Sequence, residues 1–245
     1  MLLSVLGGYW EYYLLGIILI PGIILASWAQ ARVTSTYNKF SQVLSSKGYT
    51  GAEAARAILQ AQGITGVEVV RSHKGHLSDH YDPRSRVVAL SADVYDGTTI
   101  AALGVAAHEC GHAIQHAKKY FPLTLRRLLV GVSNLSSYLL WPLVVVGIIL
   151  NFAYVGGVLG DILMFSGVAF FGLSVIFQLV TLPVEYNASG RALELLVSTG
   201  IVDTMEVQGA KKVLSAAALT YVAALVVALL NLLRFVLFFL NNRKD

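Results

Sequence analysis

The sequence predicts a mainly α-helical, multi-span membrane protein of about four transmembrane helices that carries a small α+β segment. Of its 245 residues, 56% are hydrophobic and only 13% are charged, and the mean hydropathy is +0.67. A typical soluble domain has about 25% charged residues, so this composition excludes an ordinary soluble protein. Four apolar runs are long enough to cross a hydrocarbon core of about 30 Å. One long polar stretch separates the first run from the other three.

The four apolar runs cover about residues 12–29, 128–152, 162–182 and 213–240. Trp10, Tyr12 and Trp28 flank the first run, as aromatic residues do at membrane interfaces. No Lys or Arg precedes this run, which favours a transmembrane helix over a removable signal peptide. The predicted organisation is an N-terminal transmembrane helix (1–30), a polar segment (31–125), a transmembrane hairpin (126–183), a second polar segment (184–212) and a C-terminal transmembrane helix with its tail (213–245).

The distribution of positive charge predicts how the chain is oriented in the membrane. Lys and Arg are frequent between Arg32 and Arg127 and recur between Glu185 and Lys212, whereas the glycine-rich turn around Tyr154 has none. Because short cytoplasmic loops are enriched in Lys and Arg, both polar segments should face the cytoplasm and the Tyr154 turn should face outward. Positive residues in the C-terminal tail are the one conflict with this topology. Membrane topology thus explains the net charge of +4, and no nucleic-acid partner is expected.

The first polar segment predicts a small mixture of helices and strands. Thr50 and Glu53 form a capping-box pattern ahead of an alanine-rich helix that Gly63 should end. Short strands are expected at 67–70 and 87–90, and the stretch 73–86 between them, rich in His, Asp, Gly and Pro, should be a loop. A second helix, capped by Asp96 or Thr98, should run to about Ala117.

This second helix contains the pentapeptide HECGH, His108–His112. Histidines four apart project from one helix face, about 40° apart around the axis, so both imidazoles can reach one metal ion. Glu109 lies on the flank of that face, where a carboxylate can take a proton from a metal-activated water without being a ligand. With a single Cys in the chain, any metal must rely on His and carboxylates. The pattern predicts a metal-dependent hydrolase.

A catalytic zinc site normally takes three protein ligands, so the two histidines need a partner. Glu185 is the main candidate, because an acidic residue at the end of an apolar run needs a reason. Glu185 could instead mark the membrane boundary or pair with Arg191. Alternatively, His80 or Asp82 could supply the third ligand.

Several motifs together resemble one family. The HECGH motif, the preceding DHYDPR and VVALS, and the later LPVEYNASGRALELL resemble the neutral, membrane-bound zinc metallopeptidases of the YugP type over nearly the whole chain. More remotely, the chain is similar to the HtpX and CAAX-prenyl-protease group of membrane gluzincins. The glutamate of the E-Y-x-A motif is the third zinc ligand there, which implies Glu185 here. Ser189 stands where an aspartate is usual in that group.

The resemblance implies a zincin-like catalytic segment with one Zn²⁺ per chain, bound by His108, His112 and Glu185. The expected function is that of a metalloendopeptidase (EC 3.4.24-like) at the cytoplasmic face of a bacterial plasma membrane, with Glu109 as general base. Its expected partners are the lipid bilayer and a membrane-associated protein or peptide substrate. Two alternatives are a zinc hydrolase of a lipid amide and a non-catalytic membrane scaffold, although a purely structural site has no use for Glu109.

Other residues near the motif have two interpretations each. Cys110 is expected to pack on the buried side of the helix, and His116 to be a solvated or membrane-surface histidine rather than to support the site. A cluster before the second predicted strand could orient a ligand or simply form a turn; it comprises His76, Asp79, His80 and Asp82. The strand at Val87–Leu90 could offer a free edge to an extended peptide or could be an internal strand.

Overall fold

The structure, a computed structural model, describes residues 15–75, 78–152 and 157–242. Trp10, Tyr12, His76 and Tyr154 lie outside these ranges. A 3₁₀ turn at Ile17–Leu19 is followed by α1 (Ile20–Phe40), α2 (Gly51–Ala61), β1 (Glu68–Arg71), β2 (His80–Asp82), β3 (Val87–Leu90), α3 (Ala92–Tyr95), α4 (Ile100–Ala117), α5 (Phe121–Phe152), α6 (Gly157–Ser198) and α7 (Val207–Asn242). The prediction of a mainly helical chain with a small α+β segment is confirmed.

The chain forms two compact units, each assembled from separate stretches of sequence. The apolar unit contains the described residues up to Trp28, Leu125–Thr181 and the described residues from Tyr221 onward. The polar unit contains Ala29–Thr124 and Leu182–Thr220. The polar unit therefore joins the predicted first polar segment to most of the second.

Three stretches of the described helices are long and apolar enough to cross a bilayer: Ile17–Phe40, Gly157–Ser198 and Val207–Leu237. Within the part of the chain that the structure describes, these are three candidate spans, where the sequence analysis predicted four. The run at 128–152 is the exception, and it lies in α5. Arg126, Arg127 and the polar stretch Ser133–Ser136 lie in the first half of α5 and make it less uniformly apolar than the second half.

Two helices are longer than the sequence pattern indicated. Helix α1 continues beyond the predicted end of the first run, at residue 29, to Phe40. Helix α6 runs unbroken through Pro183 and past residue 184, where a separate polar segment was expected. A proline removes one backbone donor from a helix interior but does not by itself end the helix. Glu185 therefore lies inside a long helix.

The sheet of the polar unit has the strand order β1-β3-β2 among the described residues. Strand β3 pairs in parallel with β1, Glu68 opposite Val87, and antiparallel with β2, His80 opposite Ala89. The strand at 87–90 is therefore internal, which settles the two interpretations given above. Strand β2 contradicts the prediction that 73–86 is all loop. The reason is local, because the Asp82 carboxylate accepts hydrogen bonds from Arg84 N at 2.8 Å and Ser85 Oγ at 2.7 Å and so closes the turn into β3.

The core of the polar unit forms where α2 packs against α4 and the sheet. Its largest fully buried side chains include Ile58, Leu90, Ile100, Leu103, Ile114 and Leu196. The Thr50–Glu53 capping box at the start of α2 is confirmed. Thr99, and not Asp96 or Thr98, caps α4, since its side chain accepts a hydrogen bond from Ala102 N at 3.3 Å.

Helices α4 and α6 approach each other very closely at one glycine. A Cβ atom added to Gly111 would lie 2.6 Å from the carbonyl oxygen of Ala188 and 3.0 Å from its Cα. Only a residue without a side chain allows this approach of two backbones. Because Gly111 sits between Cys110 and His112, the contact brings α6 directly beside the histidine-bearing stretch of α4.

Candidate metal centre

Three side chains converge where α4 meets α6. His108 Nε2 lies 3.3 Å and His112 Nε2 lies 3.5 Å from the same carboxylate oxygen, Oε2 of Glu185. One ligand-type atom from each of the three residues lies within 4.8 Å of the other two. The side chain of Glu185 is 2% exposed and those of His108 and His112 are 16% and 13% exposed, so the cluster is mostly buried but reachable on the histidine side.

The donor set fits a zinc ion. Zinc is held by imidazole nitrogens and carboxylate oxygens at about 2.0–2.1 Å in a tetrahedral arrangement, which places ligand atoms about 3.4 Å apart. The two observed nitrogen-to-oxygen separations, 3.3 and 3.5 Å, bracket that value. Three protein ligands leave the fourth position of a tetrahedral ion open, as catalytic rather than structural zinc sites require.

Each histidine makes a further contact through its other ring nitrogen. His108 Nδ1 lies 3.1 Å from Ser189 Oγ, and His112 Nδ1 lies 3.1 Å from Oε1 of Gln115. Burial of the His112 ring lowers its pKa, but the neighbouring carboxylates of Glu185 and Glu109 outweigh this effect and raise the pKa overall. The hydroxyl of Ser189 thus contacts the ring nitrogen of His108 that faces away from Glu185.

Glu109 and Cys110 lie between the two histidines. Glu109 is 8% exposed and is therefore largely withdrawn from solvent. It is not a member of the cluster formed by the two histidines and Glu185. Cys110 is fully buried, its Sγ lies 3.5 Å from the carbonyl oxygen of Ala55, and burial raises the pKa of its thiol. The expectation that Cys110 is a packing residue is confirmed.

The other candidates from the sequence lie elsewhere in the polar unit. Asp82 closes the β2–β3 turn, and His80, an exposed residue, has its Nδ1 2.7 Å from Ser78 O. Asp79 accepts hydrogen bonds from Ser91 N and Oγ at 2.7 and 3.0 Å. Within the ranges that the structure describes, neither His80 nor Asp82 belongs to the cluster that could hold a metal ion.

His116 is not simply solvated, as the sequence analysis expected. Its Nδ1 lies 2.7 Å from the hydroxyl of Tyr81 on β2, and the residue is half-buried. Two further residues at the centre were not singled out from the sequence at all. Gly111 allows the close helix approach, and the fully buried Gln115 contacts His112. The available signal for Gln115 was its spacing, because residues three apart on a helix are neighbours and Gln115 lies three positions after His112.

The fold and the cluster define a class of protein. An H-E-x-x-H helix beside a carboxylate from a later helix is an arrangement typical of zinc metallopeptidases, and this chain also has candidate membrane spans. Residues 15–240 match the family described as "Putative neutral zinc metallopeptidase", and the chain belongs to that family. The chain is also 48% identical over 227 residues to the "Putative membrane protease YugP" of Bacillus subtilis (strain 168). The aligned region covers 92% of this chain and 96% of that protein. No solved structure matches the chain.

Proposed function

We propose that this protein is a membrane-bound zinc endopeptidase with one zinc ion per chain, held by His108, His112 and Glu185. The observation that carries the proposal is the convergence of two imidazole nitrogens on one buried carboxylate oxygen, at the separations of a tetrahedral zinc site. Membership of the zinc metallopeptidase family and the similarity to a protein described as a membrane protease support the same conclusion.

In the proposed mechanism, Glu109 moves the protons. Zinc, when bound, supplies a Lewis acid that polarises the scissile carbonyl and lowers the pKa of water in its open position. The Glu109 carboxylate takes the proton from the attacking water and passes it to the nitrogen of the leaving amine. Ser189 and Gln115 hold the two imidazole rings from behind, and the largely buried Glu109 keeps its carboxylate in a water-poor setting.

We further propose that the substrates are membrane proteins or peptides released in the membrane. Helices α1 and α6 each contain a candidate span and continue into the polar unit, so the site is tied through the chain to membrane segments. The excess of Lys and Arg in the polar segments supports a cytoplasmic site at a bacterial plasma membrane.

Zinc content and peptidase activity of four purified proteins test the proposal in detergent. Glu185→Gln should lose zinc and activity, since a neutral amide is a much poorer zinc ligand than a carboxylate. Glu109→Gln should keep zinc while activity on a peptide library, read as new termini by mass spectrometry, falls by about 10²–10⁴-fold. Glu194→Gln is the matched control for both variants, because Glu194 is an exposed acid on α6 close to Glu185 in sequence.

Three outcomes would change the assignment. Full zinc occupancy in Glu185→Gln, with loss of zinc in a His80 or Asp82 variant, would move the third ligand to the stretch before β3. Wild-type protein that binds zinc and cleaves lipid amides but no peptide in the library would replace the peptidase by the alternative hydrolase. Zinc retained with unchanged activity in Glu109→Gln would remove the general base.

A further inference from the structure

Gln115 is a fully buried polar side chain in the apolar interior of the polar unit. A buried amide is costly unless its donors and acceptor are all paired, so its position requires a reason. Its amide nitrogen lies 2.8 Å from the carbonyl oxygen of Val184 and 3.0 Å from Oδ1 of Asn187, while its oxygen lies 3.1 Å from His112 Nδ1. The side chain therefore links α4 to the turn of α6 that contains Glu185.

The neighbours of Gln115 permit only one orientation of its amide. The Val184 carbonyl can only accept a hydrogen bond, so the group that faces it must be the NH₂ of Gln115. Asn187 gives a second constraint, because Arg191 Nε donates to Asn187 Oδ1 at 2.8 Å. A guanidinium can only donate, so Oδ1 of Asn187 is fixed as an acceptor and also requires the Gln115 NH₂. The oxygen of Gln115 must consequently point at His112.

This orientation decides which nitrogen of His112 carries the proton. An acceptor facing Nδ1 requires a proton on Nδ1, which leaves the lone pair of Nε2 free on the side of Glu185. If the amide were reversed, its NH₂ would face Nδ1 and would favour the tautomer with the proton on Nε2, which cannot bind a metal through Nε2. Metal-ligating histidines usually donate their second N–H in this way, and the donor or acceptor behind them fixes the tautomer.

We propose that Gln115 is a positioning residue that holds His112 in the tautomer able to bind zinc through Nε2, and that Val184, Asn187 and Arg191 fix its orientation. The inference rests on the proposed zinc function. Helix α6 would then act on the site in two ways, because it carries Glu185 and also determines, through Gln115, which nitrogen of His112 is protonated.

Zinc dissociation constants measured in detergent by competition with a chromophoric chelator test this role. Gln115→Leu, which removes the acceptor, should raise the dissociation constant by about 10–100-fold. In Gln115→Glu the neutral carboxylic acid accepts from Nδ1–H through its carbonyl oxygen and donates its O–H towards the Val184 carbonyl oxygen, so this variant should recover part of that loss. The cobalt-substituted protein should show a changed d–d absorption spectrum in Gln115→Leu that returns towards wild type in Gln115→Glu. Gln60→Leu, at an exposed position of α2, is the control and should bind zinc like wild type.

A second pair of variants keeps the test decisive if the Gln115 variants do not fold. Asn187→Asp retains both accepted hydrogen bonds and should bind zinc more tightly than Asn187→Leu. Equal affinity within this pair, wild-type affinity in Gln115→Leu, or no recovery in Gln115→Glu would overturn the positioning role. Failure of the proposed function looks different, because wild-type protein would then bind no zinc, or His112→Ala would bind it normally.

Discussion

Replacement of Gly111 by alanine should weaken zinc binding without touching a ligand. The added Cβ would lie 2.6 Å from the Ala188 carbonyl oxygen, whereas ordinary contact begins near 3.4 Å, so the two backbones must separate by about 0.8 Å. If that shift reaches Glu185, its separations from His108 Nε2 and His112 Nε2 grow from 3.3 and 3.5 Å to about 4.1 and 4.3 Å. Those values exceed the roughly 3.4 Å that a tetrahedral zinc site requires.

The expected size of the effect follows from the cost of overpacking. Forcing the helices back together around zinc costs about 1–3 kcal/mol, which corresponds to a rise in the zinc dissociation constant of about 5- to 150-fold. The zinc-free protein can relax by separating the helices. Its free energy of unfolding should therefore change by less than its free energy of zinc binding. Because the obstructing atom belongs to the backbone, a further Ala188→Gly change should give no rescue.

Chelator competition and thermal unfolding of the zinc-free protein measure the two quantities. The matched control is Gly190→Ala on α6, where an added Cβ meets nothing within 4 Å. Alanine is favoured over glycine in a helix interior by about 0.5–1 kcal/mol, so this control should bind zinc normally and be equally or more stable. Wild-type zinc affinity in Gly111→Ala would show that the close approach of α4 and α6 does not control the separation of the ligand atoms.

Two further predictions concern pH dependence and topology. Burial raises the pKa of Asp79 above its usual 3.8 despite the hydrogen bonds from Ser91, so the folded protein holds this proton more tightly than the unfolded chain. Ionisation of Asp79 should therefore lower the free energy of unfolding as pH rises from about 3.8 through its folded pKa. Over that pH range, the free energy of unfolding of Asp79→Asn should rise relative to that of wild type. For topology, an impermeant thiol reagent added to intact cells should label Tyr154→Cys but not Lys47→Cys in a Cys110→Ala background; labelling at position 47 would invert the proposed orientation.

The sequence predicted the parts of the fold that depend on local patterns. The capping box at Thr50, the strand at Val87–Leu90 and the helix carrying His108 and His112 all follow from residue spacing and end signals within one segment. Strand β2 was missed because a three-residue strand has too little alternation to be recognised, and its existence depends on the turn at Asp82 and on pairing with β3.

The site divides in the same way. Two histidines and Glu109 are readable from one helix, whereas the presence of Glu185 beside them depends on how α4 packs on α6, which no local pattern encodes. Gly111 occupies a position that the motif leaves free, and its constraint, the carbonyl group of Ala188, lies far away in the chain. The orientation of Gln115 likewise depends on Asn187 and Val184. Long-range packing therefore determines what the motif alone leaves open.

The assembly of the polar unit from two distant stretches imposes a parity rule on the membrane topology. Residues 29–124 and 182–220 form one compact unit, so both stretches must lie on the same side of the bilayer. Any crossing of the bilayer by the intervening chain, 125–181, would therefore have to be paired with a return crossing, so a single crossing by α6 is incompatible with one shared site. An odd number would leave His108 and Glu185 on opposite sides of the membrane, where no common metal could join them.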